Sequence, residues 1–444
     1  MAEKDEKNEL SRREIRRRRR KRNQIIAYVS VSVSVIVILC GVIFGVRAVA
    51  GIISDKKQEA ELAKRLAEKE AAEAGTEAET EAVPETETYT EDDLLDEVVD
   101  SVMSEMTLED KVAGLFFVTP EALTGVDKAV KAGDGTRQAL SDYPVGGLIY
   151  FDQNIQSEEQ FKEMIAATTG TMAKYPLFFA VDEEGGKVAR LAGSSALSIE
   201  NVGAMGEIGA TGDANAAYEA GKTIGTYLSE YGINLDFAPV ADVLTDPNNK
   251  TIGDRSFGSD PQVVGEMAAQ MAAGLEDAGV SACVKHFPGL GGTTVDTHDK
   301  LAESDRTLEQ MQAEEFLGFQ PAIGNGVEMV MVSHLAVPEI TGDSTPSSLS
   351  GVMISDVLRG TLGYEGIVIT DALNMGAITE NYSSADAAVK ALEAGADMLL
   401  MPENFEEAYN GVLEAVQNGT LSEERINQSI RRIYKVKYRS VLSE

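Results

Sequence analysis

The chain has 444 residues, 43% of them hydrophobic, a net charge of −34 and only two cysteines. That length holds one large domain with accessory segments, and so acidic a field repels polyanions, which excludes nucleic acid as a partner. Cys40 lies in an apolar run and Cys283 in the globular part, so no disulfide staples the domain; with no clustered Cys/His ligands, neither a structural zinc nor any other metal or cofactor is expected.

The charge is unevenly placed. The first 23 residues carry eleven Lys/Arg against five Asp/Glu, including RREIRRRRRKR at 12–22. An uncharged run follows at 25–46, IIAYVSVSVSVIVILCGVIFGV, before Arg47. About twenty apolar residues span a bilayer as a helix, and a basic flank stays in the cytoplasm. The expectation is a basic cytoplasmic tail (1–24), one transmembrane helix (25–46) and an extracellular remainder held at the cell membrane. A cleaved signal peptide has a shorter apolar stretch, about 7–15 residues. A lipid-bearing role for Cys40 is disfavoured, since it follows Leu39 inside the run. Residues 47–91 read as a spacer: a charged helix-forming half, SDKKQEAELAKRLAEKEAAEA, and a half rich in Glu and Thr with few large apolar residues.

From residue 92 the texture changes. Apolar runs occur at 114–118 (GLFFV), 146–151 (GGLIYF), 177–182 (LFFAVD), 236–242 (DFAPVAD), 280–287 (VSACVKHF), 329–335 (MVMVSHL), 366–373 (GIVITDAL) and 397–402 (DMLLMP). Near-continuous apolar runs mark parallel strands buried on both faces. Helical stretches such as NAAYEAGKTIGTYLSEYG and QVVGEMAAQMAAGLEDAG lie between them, often ending at Gly. Eight βα units over 92–444 predict an α/β fold, a single (β/α)8 TIM barrel. An open doubly wound sheet is the alternative, weakened because no G-x-G-x-x-G follows the first strand.

In such a barrel the site lies where the strands end. Asp182 ends the third run, Asp242 the fourth, Lys285 and His286 the fifth, Ser333 and His334 the sixth, and Asp371 follows the seventh. Asp242 alone reads as a hydrogen-bonded wall residue. A carboxylate straight after GIVIT is costly to bury without a use, which favours a functional Asp371. The third histidine, His298, sits in the loop after strand five, two residues from Asp296. Cleaving a glycosidic bond needs a carboxylate at the oxocarbenium-like centre and an acid at the leaving oxygen. Asp371 suits the first part. An imidazole steadied by Asp296 suits the second.

The segments VGGLIYF, FAVDEEGGKVARL, INLDFAPVADV, IGDRSFGSDP, CVKHFPGLGGTTVDTH, MVSHLAVPEI and GIVITDALNMGAI, in this order, resemble the β-N-acetylglucosaminidase branch of glycoside hydrolase family 3 over about residues 95–440. The resemblance implies Asp371 as nucleophile of a retaining mechanism, His298 as acid/base and Asp296 as its dyad partner. It implies Asp182, Arg190, Arg255, Lys285 and His286 as the groups that hold a terminal N-acetylglucosamine. Related β-glucosidases take a Glu acid/base from elsewhere, often from a second domain. The loop departs from the common KHFPGHGDT…DSH: Leu290 stands for the second His, Gly292 for Asp and Thr297 for Ser. Lys187 stands where Arg is usual. The function expected is removal of terminal β-N-acetylglucosamine from carbohydrate, plausibly in peptidoglycan turnover. The alternatives are a non-catalytic wall-glycan-binding barrel and a β-glucosidase or phosphorylase variant. Oligomeric state is not legible.

Overall fold

Each apolar run but the fourth contains a barrel strand close to where its pattern placed it. In the computed structural model, which describes residues 90–171 and 173–442, these are β1 (Phe116–Val118), β2 (Gly147–Ile149), β3 (Phe178–Val181), β4 (Leu235–Asp236), β5 (Ser281–Phe287), β6 (Met329–Val332), β7 (Ile367–Thr370) and β8 (Leu399–Leu400). All neighbouring pairs are parallel, in the spatial order β7, β6, β5, β4, β3, β2, β1, β8. The ring closes where Ile369 faces Met398 and Thr370 N–H donates to the Met398 carbonyl at 3.1 Å. This is the (β/α)8 barrel expected. The basic tail, the apolar run at 25–46 and nearly all of the spacer fall outside the described residues. Among the described residues no helix is long and apolar enough to cross a membrane.

The fourth strand is the one misplaced by the sequence reading. It lies at Leu235–Asp236, ahead of the expected 236–242. Pro239 has no N–H to give a ladder. Beyond it the chain stays beside β5 through single contacts, Val240 opposite Lys285 and Ala241 N–H to the Lys285 carbonyl at 2.7 Å.

Aromatic rings fill the interior. Phe117 lies 5.3 Å from Phe237 edge to face and 6.4 Å from Phe178, ring centre to ring centre. Gly147 in β2 makes room, since a Cβ there would sit 2.3 Å from the Phe117 ring. Outside, α1 (Ala214–Glu230) and α2 (Pro261–Asp277) form the closest helix pair. Gly221 and Gly274 let them touch; a Cβ on either would come within 2.2 Å of the other helix's carbonyl oxygens. Asp213 and Asp260 accept from the first free N–H groups of these helices, and Pro261 opens the second.

The strand-start end of the barrel is closed by the last helix, α3 (Glu423–Leu442). Its buried Lys437 ammonium donates to the carbonyls of Gly146 at 2.7 Å and Pro176 at 2.9 Å, just before β2 and β3. Asp397, before β8, is buried and takes Arg359 at 2.6 Å, Arg432 at 3.1 Å and Ser429 at 2.7 Å. The opposite end, where the strands stop, carries the ionisable groups described next.

Candidate active site

Asp182 ends β3 and stands between two cations. Its carboxylate meets Lys285 Nζ at 2.7 Å and Arg190 Nη2 at 3.4 Å. Burial alone would push its pKa up, but Lys285 and Arg190 outweigh it and hold the group below the ordinary value. Arg190 also lies over the Phe151 ring at 5.3 Å. There it edges a cavity of about 270 Å³ formed with Asp152 and Gln153.

Glu183 and Glu184 follow, and neither was singled out from the sequence. The Glu183 carboxylate accepts three successive backbone N–H groups, from Arg190, Leu191 and Ala192 at 2.6–2.8 Å, and the Tyr227 hydroxyl at 2.9 Å. It thereby holds the hairpin of Glu183–Gly185 with Val188–Ala189, from which Arg190 is presented. Glu184, 1% exposed, takes Arg255 in a two-pronged contact, Nε and Nη2 each at 2.7 Å, and Lys285 Nζ at 2.7 Å. Burial would raise Glu184, yet Lys285 and Arg255 hold it well below the usual carboxylate range. Burial would likewise discharge Lys285, which is 2% exposed, but Asp182 and Glu184 keep it charged. The only sequence signal for these roles was the acidic triplet D-E-E closing a buried strand.

Lys285 and His286 end β5, joined by a cis peptide. Asp242 orients His286: its Oδ2 lies 2.7 Å from Nδ1, and its Oδ1 accepts Leu290 N–H at 2.6 Å. With Nδ1–H given to the carboxylate, a neutral ring presents Nε2 as an acceptor toward Arg255 Nη2 at 3.4 Å. Asp242 is therefore a buried wall residue whose hydrogen bonds aim another site residue.

Asp371 follows β7. Its N–H donates to the Val332 carbonyl at 2.8 Å, and its Oδ1 accepts Ala372 N–H at 2.8 Å. The next carbonyl, of Ala372, accepts from His334 Nε2 at 2.9 Å, while Ser348 Oγ donates to His334 Nδ1 at 2.7 Å. Burial keeps His334 neutral by lowering its pKa, although Asp371 pulls the other way. His334, seen in the sequence only as a strand-end residue, thus steadies the backbone beside Asp371.

His298 lies on the long loop after β5. Asp296 Oδ1 meets its Nδ1 at 2.8 Å and its own backbone N–H at 3.0 Å. Burial would raise Asp296, but those contacts bring it below the ordinary value. The pair stands open, His298 at 69% and Asp296 at 40% side-chain exposure. The loop tip docks on the turn after Asp371: Gly376 N–H donates to the His298 carbonyl at 2.9 Å and Ala377 N–H to that of Thr297 at 3.3 Å.

All eight residues singled out therefore gather at one end of the barrel, five of them in one network of contacts around Asp182 and Lys285 and the dyad on a loop docked on the turn after Asp371. The departures in the loop also find explanations. Leu290 turns its side chain into the core, while its backbone binds Asp242 and Asn249. Gly292 lies against Thr245. Lys187 pairs at the surface with Asp254 at 2.8 Å, an exposed contact in which a guanidinium has little to add.

A parallel barrel whose strand ends carry paired carboxylates, cations and an imidazole–carboxylate dyad has the architecture of a glycoside hydrolase. Residues 107–436 match the glycosyl hydrolase family 3 N terminal domain, and the chain belongs to that family. It is 34% identical over 328 residues to beta-hexosaminidase A of Pseudoalteromonas piscicida, covering 68% of this chain and 54% of that protein. It is also 34% identical over 270 residues to the beta-hexosaminidase of Nitrosospira multiformis, covering 60% of this chain and 75% of the relative. The chain thus spans about half the length of the first relative. Among solved structures, a family 3 β-N-acetylglucosaminidase from Paenibacillus sp. str. FPU-7 superposes with a TM-score of 0.71 at 37% identity, over 76% of this chain and 64% of that one. A β-glucoside phosphorylase, BglX, shares the fold at 23% identity with a TM-score of 0.70.

Proposed function

We propose that this protein is a retaining β-N-acetylglucosaminidase that removes a terminal non-reducing β-N-acetylglucosamine, with Asp371 as nucleophile and His298 as acid/base. The observation that carries the reading is the His298–Asp296 contact on a loop whose tip is hydrogen-bonded to the turn after Asp371. The names of the relatives support the same substrate class.

In this reading Asp182, Arg190, Arg255, Lys285 and His286 hold the sugar by its polar groups. Asp371 attacks the anomeric carbon as the His298 imidazolium gives its Nε2 proton to the leaving oxygen. Asp296 holds the ring through Nδ1, which leaves Nε2 to carry the transferred proton. In the second half the neutral imidazole takes a proton from water, which attacks the glycosyl ester and frees Asp371. A solvent-open dyad suits an exchange in which the leaving group departs and water enters by one face.

The domain plan belongs to the same proposal: a basic cytoplasmic tail (1–24), a membrane span (25–46), a spacer (47–91) and an extracellular catalytic barrel (92–444). The support is the uncharged run behind the arginine block. A catalytic domain tethered there would meet peptidoglycan fragments.

The test is hydrolysis of the p-nitrophenyl β-glycosides of N-acetylglucosamine and of glucose by the protein and its Asp371→Ala variant. Activity on the first substrate alone, lost in the variant, is expected. Undiminished hydrolysis by Asp371→Ala would remove the nucleophile assignment, and a folded protein inert on both substrates would favour a glycan-binding role.

A further inference from the structure

The loop bearing His298 leaves β5 at Phe287 and rejoins regular structure at Ala302–Glu303, which pairs with Leu335–Ala336. Its root is tied down: Leu290 to Asp242 and Asn249, and the Gly291 carbonyl to Asp246 N–H at 3.1 Å. Its tip rests on Gly376 and Ala377. Gly289, Gly291 and Gly292 lie in or beside that root, and their backbones bring little stiffness of their own. A further support for the root comes from the segment packed beneath it.

Glu315 lies there, almost fully buried. Its Cβ and Cγ pack so near Gly289 that a Cβ at that position would be 3.0 Å from each; Gly289, at φ +126°, could not carry one without strain. A Cβ on Gly292 would stand 3.9 Å from Glu315 Oε1 and 2.8 Å from Thr245 Oγ1. Arg306, on the segment by which the loop exits, brings its Nε to 3.1 Å from Glu315 Oε1 and its Nη2 to Glu314. One side chain therefore packs its methylenes beneath the loop where it begins and pairs its carboxylate with Arg306, just beyond where the loop ends. Among the described residues Glu315 Oε2, Thr245 Oγ1 and Arg306 Nε are buried with no hydrogen-bond partner, so the Arg306–Glu315 contact is an ion pair without an aligned hydrogen bond, and these unmet groups cost free energy. Burial pushes the Glu315 carboxyl up to about 7, with Arg306 only partly offsetting it.

We propose that Glu315 is a positioning residue for the acid/base loop: braced by Arg306 and facing Thr245, it sets the height at which His298 stands beside Asp371. The proposal rests on the reading of His298 as acid/base. It distinguishes Glu315 from a merely structural group by which step suffers. Displacing the loop withdraws the proton donor and leaves the nucleophile and the sugar-binding cations in place.

The experiment measures kcat/KM of the full chain across aryl β-N-acetylglucosaminides from 2,4-dinitrophenyl to unactivated phenyl, with an N-acetylglucosamine disaccharide, for Glu315→Ala, Glu315→Gln and the reference His298→Ala. A misplacement of about 1 Å costs on the order of 100-fold, so Glu315→Ala should lose about that on the phenyl glycoside and the disaccharide. On the dinitrophenyl glycoside, which needs no acid, it should stay within about 3-fold of the parent. Glu315→Gln, which keeps the shape, should recover most of the loss. If Glu315→Ala does not fold, Arg306→Gln carries the test with the same leaving-group signature, and Glu315→Gln should stay near the parent on every substrate. A loss uniform across the series, or none in any variant, overturns the proposal while leaving His298 untouched. If His298→Ala itself lacks the steep leaving-group dependence, the acid/base reading fails and the positioning role falls with it.

Discussion

Glu184 is the residue whose replacement would say most about the site's electrostatics. Its carboxylate, 1% exposed, balances Arg255 through two bonds of 2.7 Å and Lys285 through a third. In Glu184→Gln the volume is kept, but one oxygen becomes an amide NH2. Whichever way the amide lies, an N–H then faces a guanidinium or an ammonium. Asp182 and Asp242 are left to balance Arg190, Lys285 and Arg255. Breaking a buried ion pair from one side costs about 3–5 kcal/mol. For a domain of this size one kcal/mol moves the midpoint by roughly 2 °C, so thermal unfolding at pH 7 should come roughly 6–10 °C earlier. The pH dependence has a fixed sign. A carboxylate held below its ordinary 4.5 contributes stability above that pH and loses it as pH falls through the depressed value. The gap between parent and variant should therefore be full at neutral pH and narrow in acid. Substrate binding should weaken with it, since Lys285 and Arg255 lose the group that spaces them. A midpoint shift below about 2 °C together with an unchanged KM would refute the claim that Glu184 holds the two cations.

Two further outcomes separate the two ends of the barrel. Asp397→Asn, which unpairs Arg359 and Arg432 at the strand-start end, should cost about 3–5 kcal/mol in unfolding experiments while KM stays constant; a raised KM would show that this network reaches the site. Burial pulls Lys437 down to about 7 from an ordinary 10.5, so between those values the unfolded chain keeps a proton that the native one has released, and stability rises with pH. In Lys437→Met that rise should vanish from the stability–pH curve; equal slopes in parent and variant would contradict the burial.

What could be read from the residues alone follows from where physical cost is visible. Buried parallel strands are apolar on both faces, so runs such as LFFAV and GIVIT stood out, and Asp182, Lys285 and Asp371 stood out because each ends one. Pro239 made the fourth run look continuous while denying it a ladder, and the strand formed a few residues earlier. Arg190 and Arg255 sit on loops with no periodicity to mark them; family resemblance, not spacing, pointed to them. Glu183 and Glu184 adjoin Asp182, yet a one-dimensional pattern does not say that the chain turns back there and sends both carboxylates inward. Glu315 lies in an ordinary helical stretch, and nothing but the fold brings it under Gly289.

The first described helix, Glu91–Glu105, is clasped to α3 in antiparallel fashion, Asp96 to Lys435 at 2.5 Å and to Arg431 at 3.6 Å. Lys437 of α3 binds the carbonyls ahead of β2 and β3, so this helix pair caps the strand-start end, and cutting its ion pairs would loosen the barrel from the end opposite Asp182, Lys285 and Asp371.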